Sequence, residues 1–142
     1  MFSMEPQFLS LDEVLEIHQQ QIEIYGGSPG VRDPAALESA VATPQATFEG
    51  EFLHPSIPAM AAAYLFHLCQ NHPFIDGNKR AGANAAITFL LVNDWDLELG
   101  SDELVDVVLN VASGEFGKPE LTQIFEMRCT YNSVTKSHFS TH

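Results

Sequence analysis

Positive charge is scarce in this chain. Six Lys and Arg stand against nineteen Asp and Glu in 142 residues, a formal net charge of −13. Proteins that grip nucleic acid present a basic face, and an anionic membrane surface repels an acidic chain for the same reason. Neither is expected as a direct partner. The acidic excess serves solubility, or a basic protein partner. Cysteine is scarce as well: Cys69 and Cys129 are the only two, with no metal-type spacing and no disulfide framework. No apolar run approaches the length that crosses a bilayer, and MFSMEPQFL lacks the basic start and long apolar stretch of a signal peptide. The expected location is the reducing cytoplasm.

What the chain does have is a core. Hydrophobic residues make up 45%, ten of them Phe, enough for one domain of this length to fold without staples. Ser10 with Glu13 forms a capping-box signature, and Leu11, Val14, Leu15, His18, Ile22 and Tyr25 follow at helical spacing. Gly26 and Gly27 end that helix. Asp33 with Pro34 opens a second, which Pro44 ends. Residues 45–55, QATFEGEFLHP, read as two short extended arms around a Gly turn, a flap over Thr47, Phe48, Glu49, Gly50, Glu51, Phe52 and Leu53. Ser56 caps a third helix running to about Asn71, apolar nearly all round. A fourth, NKRAGANAAITFLLVN, is apolar and small from Ala81 onward and is expected at the centre of the fold. DWDLEL is a connector with room for one short strand. Ser101 is expected to cap a fifth helix and Pro119 to open a sixth. The expected fold class is all-α: a compact bundle of about six helices with a small β-hairpin-like flap. The domain is expected over residues 1–128, with a flexible tail from 129 to 142.

The chemistry concentrates in HPFIDGNKR, His72 to Arg80. If a helix begins near Asn78, its first amides lack intrahelical partners and its dipole disfavours cations there by ~0.3–1 kcal/mol. Lys79 and Arg80 are a third of all the basic residues, set at the wrong end of their helix for stability alone. They make sense around an anion, with Gly77 admitting it close to the backbone. Asp76 reads either as a turn-former or as a carboxylate that shares Mg²⁺ with bound phosphates. His72 carries an imidazole that can take a hydroxyl proton. Phe74 anchors the loop. Asn84 lies one turn beyond Arg80 and is either a ligand group or a core hydrogen-bonding residue. A metal-dependent hydrolase built on His67, His72 and Asp76 is disfavoured, since no close His pair has ligand spacing.

The stretch resembles the signature of the Fic/Doc family, H-x-F-x-[DE]-G-N-x-[RK], with every fixed position present. YGGSPGVRDP, Tyr25 to Pro34, is similar to the matching segment of the death-on-curing branch. Most AMP-transferases of the family carry Gly at the place of Lys79 and a second Arg at that of Ala83. Lys79, Ala83 and Asn84 are similar instead to the death-on-curing branch. The Gly at position 77 is as in the AMP-transferases.

The resemblance implies a Fic-type bundle and a toxin of a toxin–antitoxin pair. It implies ATP and Mg²⁺, and transfer of the γ-phosphate to a hydroxyl of a translation factor, elongation factor Tu, so that translation stops. AMP transfer and an idle antitoxin-binding module are the alternatives. By the same resemblance His72 would be the base and Asp76 the Mg²⁺ ligand. Asn78 would contact phosphate, and Lys79, Arg80 and Asn84 would bind the nucleotide's phosphates in a nest shaped by Gly77. The flap would align a target segment by strand-like pairing. The inhibitory pattern [ST]-x-x-x-E-[GN] is not met by Thr47 to Phe52 or by Thr122 to Met127, so inhibition is expected from a separate, partly basic antitoxin chain.

Overall fold

A computed structural model describes residues 5–132. Helix α1 (Leu11–Tyr25) starts as its sequence dictates: the Ser10 hydroxyl accepts the Glu13 N–H at 3.1 Å and the Glu13 carboxylate accepts the Ser10 N–H at 2.8 Å. Asp33 accepts the Ala36 N–H at 3.1 Å and so caps α2 (Pro34–Ala42). The chain then makes one 3₁₀ turn, Thr43–Gln45. Strands β1 (Thr47–Phe48) and β2 (Glu51–Phe52) pair antiparallel, Thr47 opposite Phe52. Glu49 and Gly50 between them both take positive φ, the condition for a two-residue primed turn. This is the expected flap. Its one inward side chain, Phe52, packs on the Phe8 ring with centroids 5.8 Å apart.

Helix α3 (Ile57–Gln70) is capped by Ser56, whose hydroxyl accepts the Ala59 N–H at 3.1 Å. Eleven of its fourteen residues are buried, so α3 is the centre of the bundle. That place was expected for α4 (Asn78–Val92), which instead packs one side on α3 and leaves Leu91 and Val92 exposed. The two helices approach closely because of Gly82. A Cβ there would lie 3.2 Å from the Leu65 carbonyl oxygen, closer than side chains tolerate without a backbone shift.

Strand β3 (Trp95–Leu97) follows, then α5 (Ser101–Ser113) and α6 (Lys118–Arg128). The cap of α5 is Gly100 rather than Ser101, and that of α6 is Gly117. In each case the glutamate at the third helical position accepts the glycine N–H, Glu103 at 3.1 Å and Glu120 at 2.8 Å. The N3 carboxylate bonds the cap residue's own N–H, and no side chain caps the first-turn amides of either helix among the described residues. The tail expected from residue 129 begins instead with a strand, β4 (Cys129–Tyr131), antiparallel to β3 with Cys129 opposite Leu97. The rest of that expectation, residues 133–142, lies outside the described residues. Both cysteines are free and buried. Among the described residues no helix is long and apolar enough to cross a membrane.

Candidate functional site

The loop between α3 and α4 is held from two sides. From one side, Arg32 donates to the carbonyls that end α3: Nε to His72 O at 2.7 Å and Nη2 to Asn71 O at 3.1 Å. The backbone N–H groups of Arg32 and Asp33 converge on Pro73 O, and Ile75 N–H reaches Gly30 O. A cation at helix-terminal carbonyls is favourably placed, and here it also fixes a strained residue. His72 has φ +48, a left-handed conformation that costs a non-glycine residue about 1–2 kcal/mol. From the other side comes α1. The His18 ring lies flat on Phe74, centroids 3.7 Å apart and planes within 2°, and its Nε2–H donates to Asp76 O at 2.7 Å. Phe74 is fully buried. Burying such a ring contributes about 1.5–3 kcal/mol, which makes it the anchor its sequence position suggested.

Asn78 is committed to the loop itself. Its Oδ1 accepts the Phe74 N–H at 2.9 Å, and its Nδ2 donates to Phe74 O at 3.0 Å and to His72 Nδ1 at 3.2 Å. The expected phosphate contact therefore cannot come from this carboxamide; what Asn78 can offer a ligand is its backbone N–H. The Phe74 N–H also settles which end of the amide faces His72. Nδ1 of the histidine is the acceptor, and the neutral ring carries its proton on Nε2. His72 is exposed and adjoins the cavity described next through Asn78 without lining it.

At the start of α4, Gly77 sits in the left-handed region, φ +79. Neither the cap residue nor the third residue, Arg80, supplies an acceptor to the first turn. The backbone N–H groups of Asn78, Lys79 and Arg80 have no acceptor among the described residues; the first bonded amide is Ala81, to Gly77 O at 2.9 Å. The Lys79 ammonium makes no hydrogen bond or ion pair among the described residues. The Arg80 guanidinium lies over the Tyr25 ring, 4.5 Å from its centroid. Asn84 donates to Arg80 O at 2.8 Å, leaving its own oxygen free. A cavity of about 570 Å³ adjoins this helix start, lined by Asp76, Gly77, Asn78, Lys79, Arg80 and Asn84, with an apolar wall of α5 residues including Leu104 and Val108. The structure thus brings together every expected phosphate-side residue, sets His72 at its border, and leaves the flap residues Thr47 to Leu53 outside it.

The fit to Mg²⁺ rests on Asp76. Its Oδ1 accepts the Gly77 N–H at 2.9 Å and its Oδ2 the Ser28 N–H at 3.2 Å. Gly27, at φ +116, is needed beside it: a Cβ there would stand 2.8 Å from Oδ2. The carboxylate is exposed, and each oxygen keeps a lone pair. Among the described residues no three His, Cys, Asp or Glu side chains form a metal cage. One oriented carboxylate beside an uncapped helix start is a donor set that fits Mg²⁺, which takes one or two carboxylates and completes its shell with phosphate and water.

A second group of titratable residues stands apart. Lys118 Nζ donates to His54 Nε2 at 3.1 Å and to His67 Nε2 at 3.0 Å. Burial, with the Lys118 charge second and His54 third, pushes His67 down to about 4. Burial and then Lys118 lower His54, and burial lowers Lys118. Both imidazoles are held neutral as acceptors, which leaves His54 Nδ1 buried without a partner. This removes His67 from any metal site with His72 and Asp76. The cluster borders another cavity, about 580 Å³, that includes Leu53 at the foot of the flap.

Sequence reasoning assigned no site role to three residues that build the site: His18, Tyr25 and Arg32. Only His18 carried a local signal, a polar ring on an apolar stripe.

With this geometry in hand, the similarities of the chain become specific. The sequence model of the Fic/DOC family matches residues 8–90. The chain is 42% identical over 89 residues to "Toxin Doc" of Mycolicibacterium smegmatis, covering 58% of this chain and 68% of that protein. It is 34% identical over 107 residues to "Protein kinase doc" of Escherichia phage P1, covering 75% and 83%. The match spans α1 to α4 and so contains the loop and the open helix start; the chain belongs to the Fic/DOC family.

Proposed function

We propose that this chain is a Doc-like toxin of a toxin–antitoxin pair, a kinase that moves the γ-phosphate of ATP onto a hydroxyl of a translation factor. Elongation factor Tu is the target that the family resemblance favours. The observation that carries this reading is the uncapped start of α4: the N–H groups of Asn78, Lys79 and Arg80 have no acceptor among the described residues, and these three residues, two of them cationic, line one cavity. A helix N-terminus with cations added to it stabilises phosphate oxygens. The apolar α5 wall of the same cavity suits a nucleobase. The relatives' printed names, a toxin and a protein kinase, support the same reading.

In this reading Asp76 holds Mg²⁺, which when bound offsets charge on the phosphates. Lys79 and Arg80, with the α4 amides, bind and orient the tail so that its terminal phosphorus faces the target. The target hydroxyl oxygen forms a bond to that phosphorus as the bond to the bridging β–γ oxygen breaks. ADP leaves, and the hydroxyl proton passes to His72. The ring's free electron pair is on Nδ1, facing Asn78 at a long 3.2 Å. This weak contact is the one that opens, or the tautomer exchanges, when His72 takes the proton. The flap, with Thr47 to Leu53 mostly exposed, offers a strand edge to the target segment. The toxin works in the cytoplasm, silenced by a separate antitoxin whose basic residues complement the acidic surface of this chain.

The test is transfer to purified elongation factor Tu from ATP labelled at either the α or the γ position. Label arriving from γ alone is the expected result. Label arriving from α replaces the kinase reading with AMP transfer. No label from either, together with undiminished toxicity of His72→Ala in cells, replaces it with a binding module.

A further inference from the structure

One polar side chain of the cavity has no task in anything described so far. Gln21 on α1 is only 9% exposed, lines the cavity, and its carboxamide has no hydrogen-bond partner among the described residues. The residue is otherwise enclosed, so its carboxamide is left open to the cavity, where a ligand can bond it. Its position says which part of the ligand that is. His18, three residues earlier, grips the Asp76 carbonyl; Tyr25, four residues later, lies under Arg80. Residues three and four apart share one helix face. Gln21 therefore sits on the face of α1 between the residue that meets Asp76 and the residue under Arg80, and lines the same cavity as the start of α4.

We infer that Gln21 is a phosphate-binding residue of this cavity, its Nε2–H₂ donating to the oligophosphate chain of the nucleotide and extending the row of backbone donors on α4 with a donor from α1. The inference rests on reading the cavity as a nucleotide site and goes beyond it by assigning the tail, not the sugar or base, to the α1 face. The nearby α4 donors and the Arg80 guanidinium already attract anions, so the amide's NH₂ end turns toward the ligand while its carbonyl faces the cationic side. The nucleobase belongs against the apolar α5 wall, away from this group.

The experiment compares wild type with Gln21→Leu and Gln21→Glu, titrated by calorimetry with ATP, inorganic tripolyphosphate and adenosine in the presence of Mg²⁺. Leu removes the donor and keeps the helix; Glu keeps the shape and replaces the donor with a negative charge. Q21L should weaken ATP and tripolyphosphate by the same factor, roughly tenfold for a hydrogen bond to a charged acceptor. Q21E should weaken both further, and adenosine should bind all three proteins alike. Thermal unfolding of ligand-free Q21L should be no earlier than wild type, which a purely structural glutamine would not allow. A loss confined to ATP and adenosine, with tripolyphosphate unchanged, overturns the assignment in favour of nucleoside contact. Unchanged binding of all ligands by both variants overturns it outright. Failure of wild type to bind either ATP or tripolyphosphate removes the underlying nucleotide reading as well, and is told apart from the other outcomes by that protein alone.

Discussion

Two helices of this fold begin with lysine or arginine where the dipole disfavours cations, and they resolve the conflict in opposite ways. Helix α6 begins at Lys118, whose ammonium is turned onto two neutral imidazoles, His54 and His67, at 3.0–3.1 Å. Its charge is met by acceptors from the flap's foot and from α3, although His54 Nδ1 stays buried without a partner among the described residues. Helix α4 carries Lys79 and Arg80 in its first turn and gives them only the face of Tyr25. Its amides remain unmatched beside a cavity. The difference separates a cation used to tie elements together from cations kept available. The uncapped start is the one we propose a ligand completes.

The comparison can be broken by exchanging the consequences of mutation. The largest effect belongs beside the open start. His72→Ala should slow label transfer to the target by about 10²–10⁴-fold, the usual range for a positioned general base. ATP affinity should be unchanged in the same protein, since His72 does not line the cavity. Next, the double variant Lys79→Ala, Arg80→Ala should lower ATP affinity by at least about tenfold in calorimetry. Its thermal midpoint should stay level or rise, because two cations leave an unfavourable helix end. Loss of folding stability in that variant would erase the distinction drawn here.

Lys118→Met should do the reverse. It strands two acceptors, one of them buried, and should cost about 1–2 kcal/mol in urea unfolding with ATP affinity unchanged. The smallest expected effect is on pH. His67 is held at about 4 by burial, with Lys118 and His54 adding to it, against an ordinary value near 6.5. The unfolded chain therefore binds the extra proton between these values, so stability from this group is complete above about pH 6.5 and is lost as pH falls toward 4. His67→Gln should flatten the thermal midpoint across that window relative to wild type.

The open start was legible in the sequence because its parts are contiguous. HPFIDGNKR places loop, glycine, cations and histidine within nine positions, and the free amides follow from where the helix begins. The helix entries at Ser10, Asp33 and Ser56 were legible for the same local reason, as was the hairpin around Glu49-Gly50. What failed was what depends on distance along the chain. Strand β4 forms because residues 129–131 meet 95–97, and nothing within CTY announces that partner. Arg32 acts on His72 across forty residues, and His18 on Asp76 across fifty-eight. The α6 corner was illegible throughout, since His54, His67 and Lys118 are individually unremarkable until packing brings them together. Ser101 failed differently: the helix starts one residue earlier, at a Gly100 cap whose N–H is held by the Glu103 carboxylate. Asn78 was expected as a phosphate contact; its side chain braces the loop, which leaves its backbone N–H as the group for that role.

The two thiols offer a practical consequence. Burial pushes Cys69 up to about 11 and Cys129 up to about 12, so thiolate is nearly absent from the native protein at neutral pH, and both sulfurs are enclosed. A maleimide dye or nitroxide added to the folded wild type should find no quick reaction partner. A cysteine introduced at the exposed hairpin tip, as in Glu49→Cys, would then be the one position to take up the reporter, and its spectrum would follow the hairpin as a target chain approaches, with no need to remove either native sulfur.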